Sequence, residues 1–281
     1  AEETEPSSMP EALALAVFRR HMHNVEYDPA SSGVEWWAQV REIGHPDEAI
    51  EFHWDCDEAY TDRCGIIRSP TLSTVTYLTD EGAPTLVIDG VHAPAAVSDV
   101  AAPEVLGPIA GGVLSFPEQG KHLVFDGTLL HGAVPTTRDI DNTHCGVARR
   151  RVSFLANVWM NYRPKRLDGL PLEISAMMSA WPSSAAKTAG NRLELIAAAA
   201  AFDSFASGGA DSASPQRDVI LPARTSADAP CLNVRFGRRA EQYALRFPLC
   251  DQEACKRGET VSLTFLPCES PWRPAAELFR A

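Results

Sequence analysis

No stretch of the 281-residue chain is apolar over the roughly 20 residues that a membrane-crossing helix needs. Its start, Ala1-Glu2-Glu3-Thr4-Glu5, is acidic where a secretory signal is basic. A soluble, cytoplasmic protein is the expectation. Cysteine is sparse: seven residues, an odd number and scattered, do not make a disulfide framework, and reduced thiols are expected. Positive charge is short as well. The 25 Lys+Arg against 37 Asp+Glu leave a net charge of −12, which opposes attraction to nucleic acid or to an anionic membrane. Internal repeats are absent. What remains is ordinary globular composition, 45% hydrophobic and 22% charged, which excludes a wholly disordered chain and suits a single domain with a substantial core.

Ser8, Met9 and Pro10 introduce Glu11 to Arg20, a helix with a cap, an early proline and basic residues in its last turn. Residues 34–40 are too short a pattern to separate helix from strand. Strand signals then dominate to residue 160. Residues 73–79 are β-branched and aromatic and end at Asp80-Glu81-Gly82, with residues 85–88 as the natural hairpin partner. Residues 97–112 read as loop, 121–125 as a strand entering Asp126-Gly127, and 151–159 as the longest strand. Many short strands separated by turns suggest a sandwich or barrel. Beyond residue 163, short helices are expected at 170–181 and 192–201, a mobile loop at 203–229, and strands at 232–236, 243–247 and 261–265, which either extend the first sheet or form a small unit.

Chemistry gathers first at Ile50-Glu51-Phe52-His53-Trp54-Asp55, where apolar and polar residues alternate. A strand's period of two puts Glu51, His53 and Asp55 on one face, and an imidazole and a carboxylate so placed can share one metal ion. Of the other histidines, His131 ends an apolar run after a tight turn; alone it is an ordinary core histidine satisfied by a carbonyl. On the strand from residue 151, Arg151 and Ser153 share a face and form a fork for a carboxylate. Two histidines and a carboxylate with open coordination positions suit non-haem Fe(II) chemistry.

The ordered set His53-Trp54-Asp55, His131 and Arg151-Val152-Ser153 resembles the His-x-Asp…His…Arg-x-Ser signature of the 2-oxoglutarate- and Fe(II)-dependent dioxygenases. Residues 75–79, 82–86, 125–132 and 151–159 resemble supporting pieces of the prolyl-hydroxylase-like branch, and the likeness covers roughly residues 50–160. It implies a mainly β protein with flanking helices and a double-stranded β-helix (jelly-roll, cupin-like) core at about 50–162. A helical segment at about 8–48 and C-terminal helices and strands at about 163–281 complete a single domain, 1–281. It further implies that His53, Asp55 and His131 hold Fe(II), that Arg151 pairs with 2-oxoglutarate, and that Ser153 or Tyr77 adds hydrogen bonds. Arg149 and Arg150 are the alternatives to Arg151 after a small register change, the Ser spacing favouring Arg151, and Asn157 is a weaker candidate. O₂ is the oxidant and ascorbate an auxiliary reductant. The implied reaction is hydroxylation, desaturation or cyclisation at an unactivated C–H bond of a small molecule, such as an amino acid or secondary-metabolite precursor. The alternatives are a protein side-chain hydroxylase and a non-catalytic cupin-like module. Asp55 stands where related halogenases have Gly or Ala, which argues against halogenation. Trp54, Glu58, Tyr60, Arg68 and Trp159 are candidate pocket residues, packing being the commoner role for each. A zinc site at Cys231, Cys250, Cys255 and Cys268 has spacing that fits no familiar pattern.

Overall fold

The structure is a computed structural model that describes residue 6, residues 8–95, 111–134, 149–165, 167, 169–171, 173–174 and 258–262, and the backbone of 216–221, 231–236, 243–248 and 263–265. Helix α1, Met9–His21, begins where Ser8 Oγ accepts the Glu11 N–H and ends on Arg19, Arg20 and His21, which complement the negative end of its dipole. Among the described residues twelve strands follow in order: β1 Gly33–Glu42, β2 Ile50–His53, β3 Leu72–Tyr77, β4 Thr85–His92, β5 Gly111–Ser115, β6 His122–Asp126, β7 Leu129–Ala133, β8 Arg150–Trp159, β9 Gln216–Leu221, β10 Cys231–Phe236, β11 Tyr243–Pro248 and β12 Thr260–Phe265. A second helix, α2 at Glu58–Cys64, lies between β2 and β3 and is capped by Asp57.

The strands build a four-stranded antiparallel sheet, β1-β8-β3-β6, and a six-stranded sheet, β2-β7-β4-β5-β12-β9, with β10 and β11 as a separate antiparallel pair. The first eight strands pair in a nested way: first with eighth, second with seventh, third with sixth, fourth with fifth. Outer residues of the four-stranded sheet, Phe154, Ala156 and Val158, bury against Ala14, Val17, Phe18 and Met22 of the α1 region. The alternate residues of β8, Arg151, Ser153, Asn157 and Trp159, are also buried and face the opposite way.

Several expectations change here. Residues 34–40 are strand, so the segment at 8–48 carries β1 as well as α1. Strands β3 and β4 are not a hairpin but lie in different sheets, because each pairs with a strand later in the chain and residues 78–84 cross between the sheets. Gly111 and Gly112, read as loop, open β5, and residues 216–221, read as loop, form β9 parallel to β12. The C-terminal strands divide as both alternatives had it: β12 extends the six-stranded sheet and β10–β11 stand apart. Of the helix expected at 170–181 only 170–171 and 173–174 are described, the last two as helix; the rest of it, the helix expected at 192–201, the rest of 203–229 and the side chains of the four late cysteines lie outside the described residues. Among the described residues, no helix is long and apolar enough to cross a membrane.

Candidate functional site

Strand pairing, more than strand alternation, assembles the site. His53 ends β2 and sits directly opposite His131 on β7, with ring centroids 4.4 Å apart. Asp55 is not on the same strand as His53, since β2 stops at His53 and the chain turns before α2. A register irregularity lies between Ile50 and His53, and burial still alternates: Glu51 is exposed and Phe52 and Trp54 are buried. The irregular segment that follows nonetheless brings Asp55 Oδ1 to 3.6 Å from His53 Nε2 and Asp55 Oδ2 to 3.6 Å from His131 Nε2. A metal held at roughly 2.0–2.2 Å by each donor needs donors under about 4.2 Å apart, and both separations satisfy this. His53, Asp55 and His131 therefore form a group that can hold a metal ion.

Backbone carbonyls fix both imidazoles. His53 Nδ1 donates to the Glu51 carbonyl at 2.7 Å and His131 Nδ1 to the Leu129 carbonyl at 2.9 Å, because a carbonyl can only accept. With Nδ1 of each ring committed to a carbonyl, the Nε2 atom of each faces Asp55. Burial opposes ionisation of Asp55, yet the neighbouring His131 and His53, with the Ser73 hydroxyl, outweigh it and hold the carboxyl well below its usual range. Ser73 Oγ donates to Asp55 Oδ2 at 2.6 Å. Burial pushes His131 down to about 4, so this ring is neutral and ready to ligate near pH 7. Burial also pulls on His53, but the Asp55 carboxylate prevails and raises it. Phe125, with its ring 4.7 Å from that of His131, closes one side.

Beyond His131, the interior carries a second chemistry. Val87 of β4 pairs with His131, and Thr85 pairs with Ala133, so Thr85 lies two residues along from the metal group on the same face. Thr85 Oγ1 accepts from Arg151 Nη2 at 3.2 Å and meets the Tyr77 hydroxyl at 2.8 Å. Arg151 is 2% exposed, yet its Nε and Nη1 have no hydrogen-bond partner, nor does Ser153 Oγ, which is wholly buried. Burial pulls the Arg151 pKa down from its ordinary value, the cost of keeping a cation dry, against the opposing effect of Tyr77 and Glu48. Such orphaned donors mark a place where an anion belongs. Gly82 makes this packing possible: its φ is +108°, and a Cβ there would stand 2.6 Å from Arg151 Cβ. The neighbouring arginines are excluded from the role, since Arg149 is exposed and ion-paired to Glu81 and Arg150 is exposed. Tyr77 does not project free donors into the site; its hydroxyl is held by Thr85 and the Ser115 carbonyl, and its ring lies 5.5 Å from the Arg151 guanidinium carbon.

A cavity of about 590 Å³ opens over the metal group, lined by His53, Trp54 and Asp55 together with Glu35, Trp37, Asp57, Glu58, Asp62, Asn157 and Lys165. Asn157 Nδ2 donates to Glu35 Oε1 at 3.1 Å, and Trp54 Nε1 reaches the Val91 carbonyl at 3.3 Å. Asp57 ties the wall together: it caps α2 through the Tyr60 N–H and accepts from the Tyr162 hydroxyl and the Lys165 N–H, each at 2.7 Å. Tyr60, Arg68 and Trp159 pack on Tyr162 rather than line the cavity.

Ser73, Thr85, Glu35 and Trp37 were not singled out from the sequence. Ser73 was within reach, because counting back by twos from Tyr77 places it on the same face of β3. No protein-family model matches the chain, and no curated protein matches it. The arrangement of His53, Asp55 and His131 therefore carries the functional reading.

Proposed function

We propose that the protein is a non-haem Fe(II)- and 2-oxoglutarate-dependent oxygenase of a small molecule. The observation that carries this reading is the pairing of a two-histidine, one-carboxylate group with a buried guanidinium, two of whose three nitrogens have no partner, on the same interior. Two residues of strand, roughly 6–7 Å, separate the position of His131 from that of Thr85, which Arg151 touches. That span suits a short dicarboxylate with one end at the metal and the other at Arg151 and Ser153. The nested strand pairing, folded at β4–β5 and wound across two sheets, supports a double-stranded β-helix core.

Bound Fe(II), with O₂ and 2-oxoglutarate, supplies oxidation of an unactivated C–H bond, one oxygen entering the product and the other leaving in succinate beside CO₂. The chain's own part is positional. Carbonyl-anchored His53 and His131 and the Ser73-held Asp55 fix three donors on one side and leave the other side open. Arg151 and Ser153 draw the co-substrate's distal carboxylate into a water-poor space. The cavity is of a size for a small molecule. Its Glu35, Asp57, Glu58 and Asp62 against Lys165 favour a neutral or cationic substrate over an anionic one. A non-catalytic cupin-like module has no use for the orphaned Arg151 beside a metal group, which weighs against that reading.

The test is succinate release from 2-oxoglutarate by the Fe(II)-loaded protein, followed across amino acids, amines and peptides. Stimulated release with matching consumption of O₂ is the expected result. Absence of any 2-oxoglutarate turnover, with or without a candidate substrate, contradicts the proposal.

A further inference from the structure

Strand β1 brings a second guanidinium to the anion-binding end of the interior. Its register sets Arg41 opposite Arg151 and Gln39 opposite Ser153. Register partners project from the same face, and Ala38, Val40 and Glu42 take the exposed face of β1 instead. Arg41 Nε and Gln39 Oε1 are buried without a hydrogen-bond partner, like Arg151 Nε and Nη1, Ser153 Oγ and Ser115 Oγ. Arg41 is also near enough for its charge to act on Arg151.

Arg41 is half-buried beside the fully buried Arg151, and two like charges so close are costly unless an anion joins them. The structure supplies part of that anion: Glu48, itself buried, acts on Arg151 with the opposite sign. The guanidinium N–H groups still without partners, Arg41 Nε and Arg151 Nε and Nη1, are the donors that a further carboxylate would use.

We propose that Arg41 is a second binding residue for the distal carboxylate of the co-substrate, and that it makes the site select a dicarboxylate over a 2-oxo acid with an apolar tail. The inference rests on the 2-oxoglutarate reading above. Arg151 and Ser153 approach the carboxylate from β8, and Arg41 approaches it from β1.

The experiment is an anaerobic titration of the Fe(II)-loaded full chain with 2-oxoglutarate and, separately, with 2-oxopentanoate, in which a methyl group replaces the distal carboxylate. Binding is read from the visible charge-transfer absorption of the chelate, without turnover. Arg41→Met and Arg41→Gln are expected to weaken 2-oxoglutarate by about tenfold or more and to leave 2-oxopentanoate within roughly twofold, while Arg41→Lys recovers part of the loss. Equal weakening of both ligands assigns Arg41 a structural role and overturns the inference. Unchanged 2-oxoglutarate affinity in folded Arg41→Met and Arg41→Gln overturns it too, with the 2-oxoglutarate reading intact. Absence of a chelate band in the wild type sinks that reading itself, and the inference with it.

Discussion

Replacing Ser73 by alanine isolates the support of the metal group from the group itself. Ser73 is 2% exposed and its hydroxyl gives a 2.6 Å charge-assisted bond to Asp55 Oδ2, the oxygen that also faces His131 Nε2. A hydrogen bond to a buried charge is worth about 1.5–3 kcal/mol, so Ser73→Ala lowers the stability of the metal-free protein by about that amount. The effect on metal affinity has a different origin. The bond exists before and after a metal binds, so its direct energy cancels, and what is lost is the orientation of the carboxylate. Loss of such supporting bonds typically weakens binding by about 10–100-fold. Calorimetric titration of wild type and Ser73→Ala with Mn(II) under anaerobic conditions measures this, with a thermal melt of each metal-free protein alongside. A destabilised variant that binds Mn(II) within roughly twofold of wild type refutes the claim that Ser73 positions Asp55.

Arg151→Met is expected to raise the stability of the metal-free protein by about 1–4 kcal/mol, because it removes a buried and only partly bonded cation, while 2-oxoglutarate binding falls at least about 100-fold. Thermal melts and the anaerobic titration read the two effects, and a loss of stability instead means that the guanidinium is already satisfied. On the outer face, burial lowers His122 to about 3, helped by nearby His21 and Arg20, and its ring meets His21 Nε2 and Thr76 Oγ1. The folded pKa lies below the unfolded value of 6.5, so this group's stability is fully present above pH 6.5 and is lost as pH falls toward 3, up to about 5 kcal/mol. The difference in melting temperature between wild type and His122→Gln, followed from pH 7 to pH 4, is expected to shrink as pH falls; a constant difference counts against it.

How legible the site was depends on what brought each residue in. Residues on strong period-two strands were accessible: Arg151 and Ser153 share a face of β8, as their spacing requires. His53 and Asp55 reached one site although β2 ends at His53, because the two-residue spacing of burial continues past the strand's last paired residue. The 3.6 Å approach of His131 to Asp55 depends on β2 pairing with β7, a contact between residues far apart in the chain that no local pattern specifies. The same limit produced the β3–β4 hairpin: two adjacent strands with a turn between them pair locally unless later strands compete, and here β6, β7 and β8 do. Arg41 was hidden for a third reason, because residues 34–40 carry tryptophans on both faces of β1, Trp36 under α1 and Trp37 in the cavity, which erases the alternation.

The most direct measurement of the central claim is the visible spectrum after anaerobic addition of Fe(II) and then 2-oxoglutarate to the wild type and to His131→Ala. The account predicts a weak charge-transfer band in the wild type that needs both additions and is lost in His131→Ala, since removing His131 takes away one of the two nitrogen donors beside Asp55. No band in the wild type contradicts the assignment, and a band of equal strength in His131→Ala contradicts the ligand set.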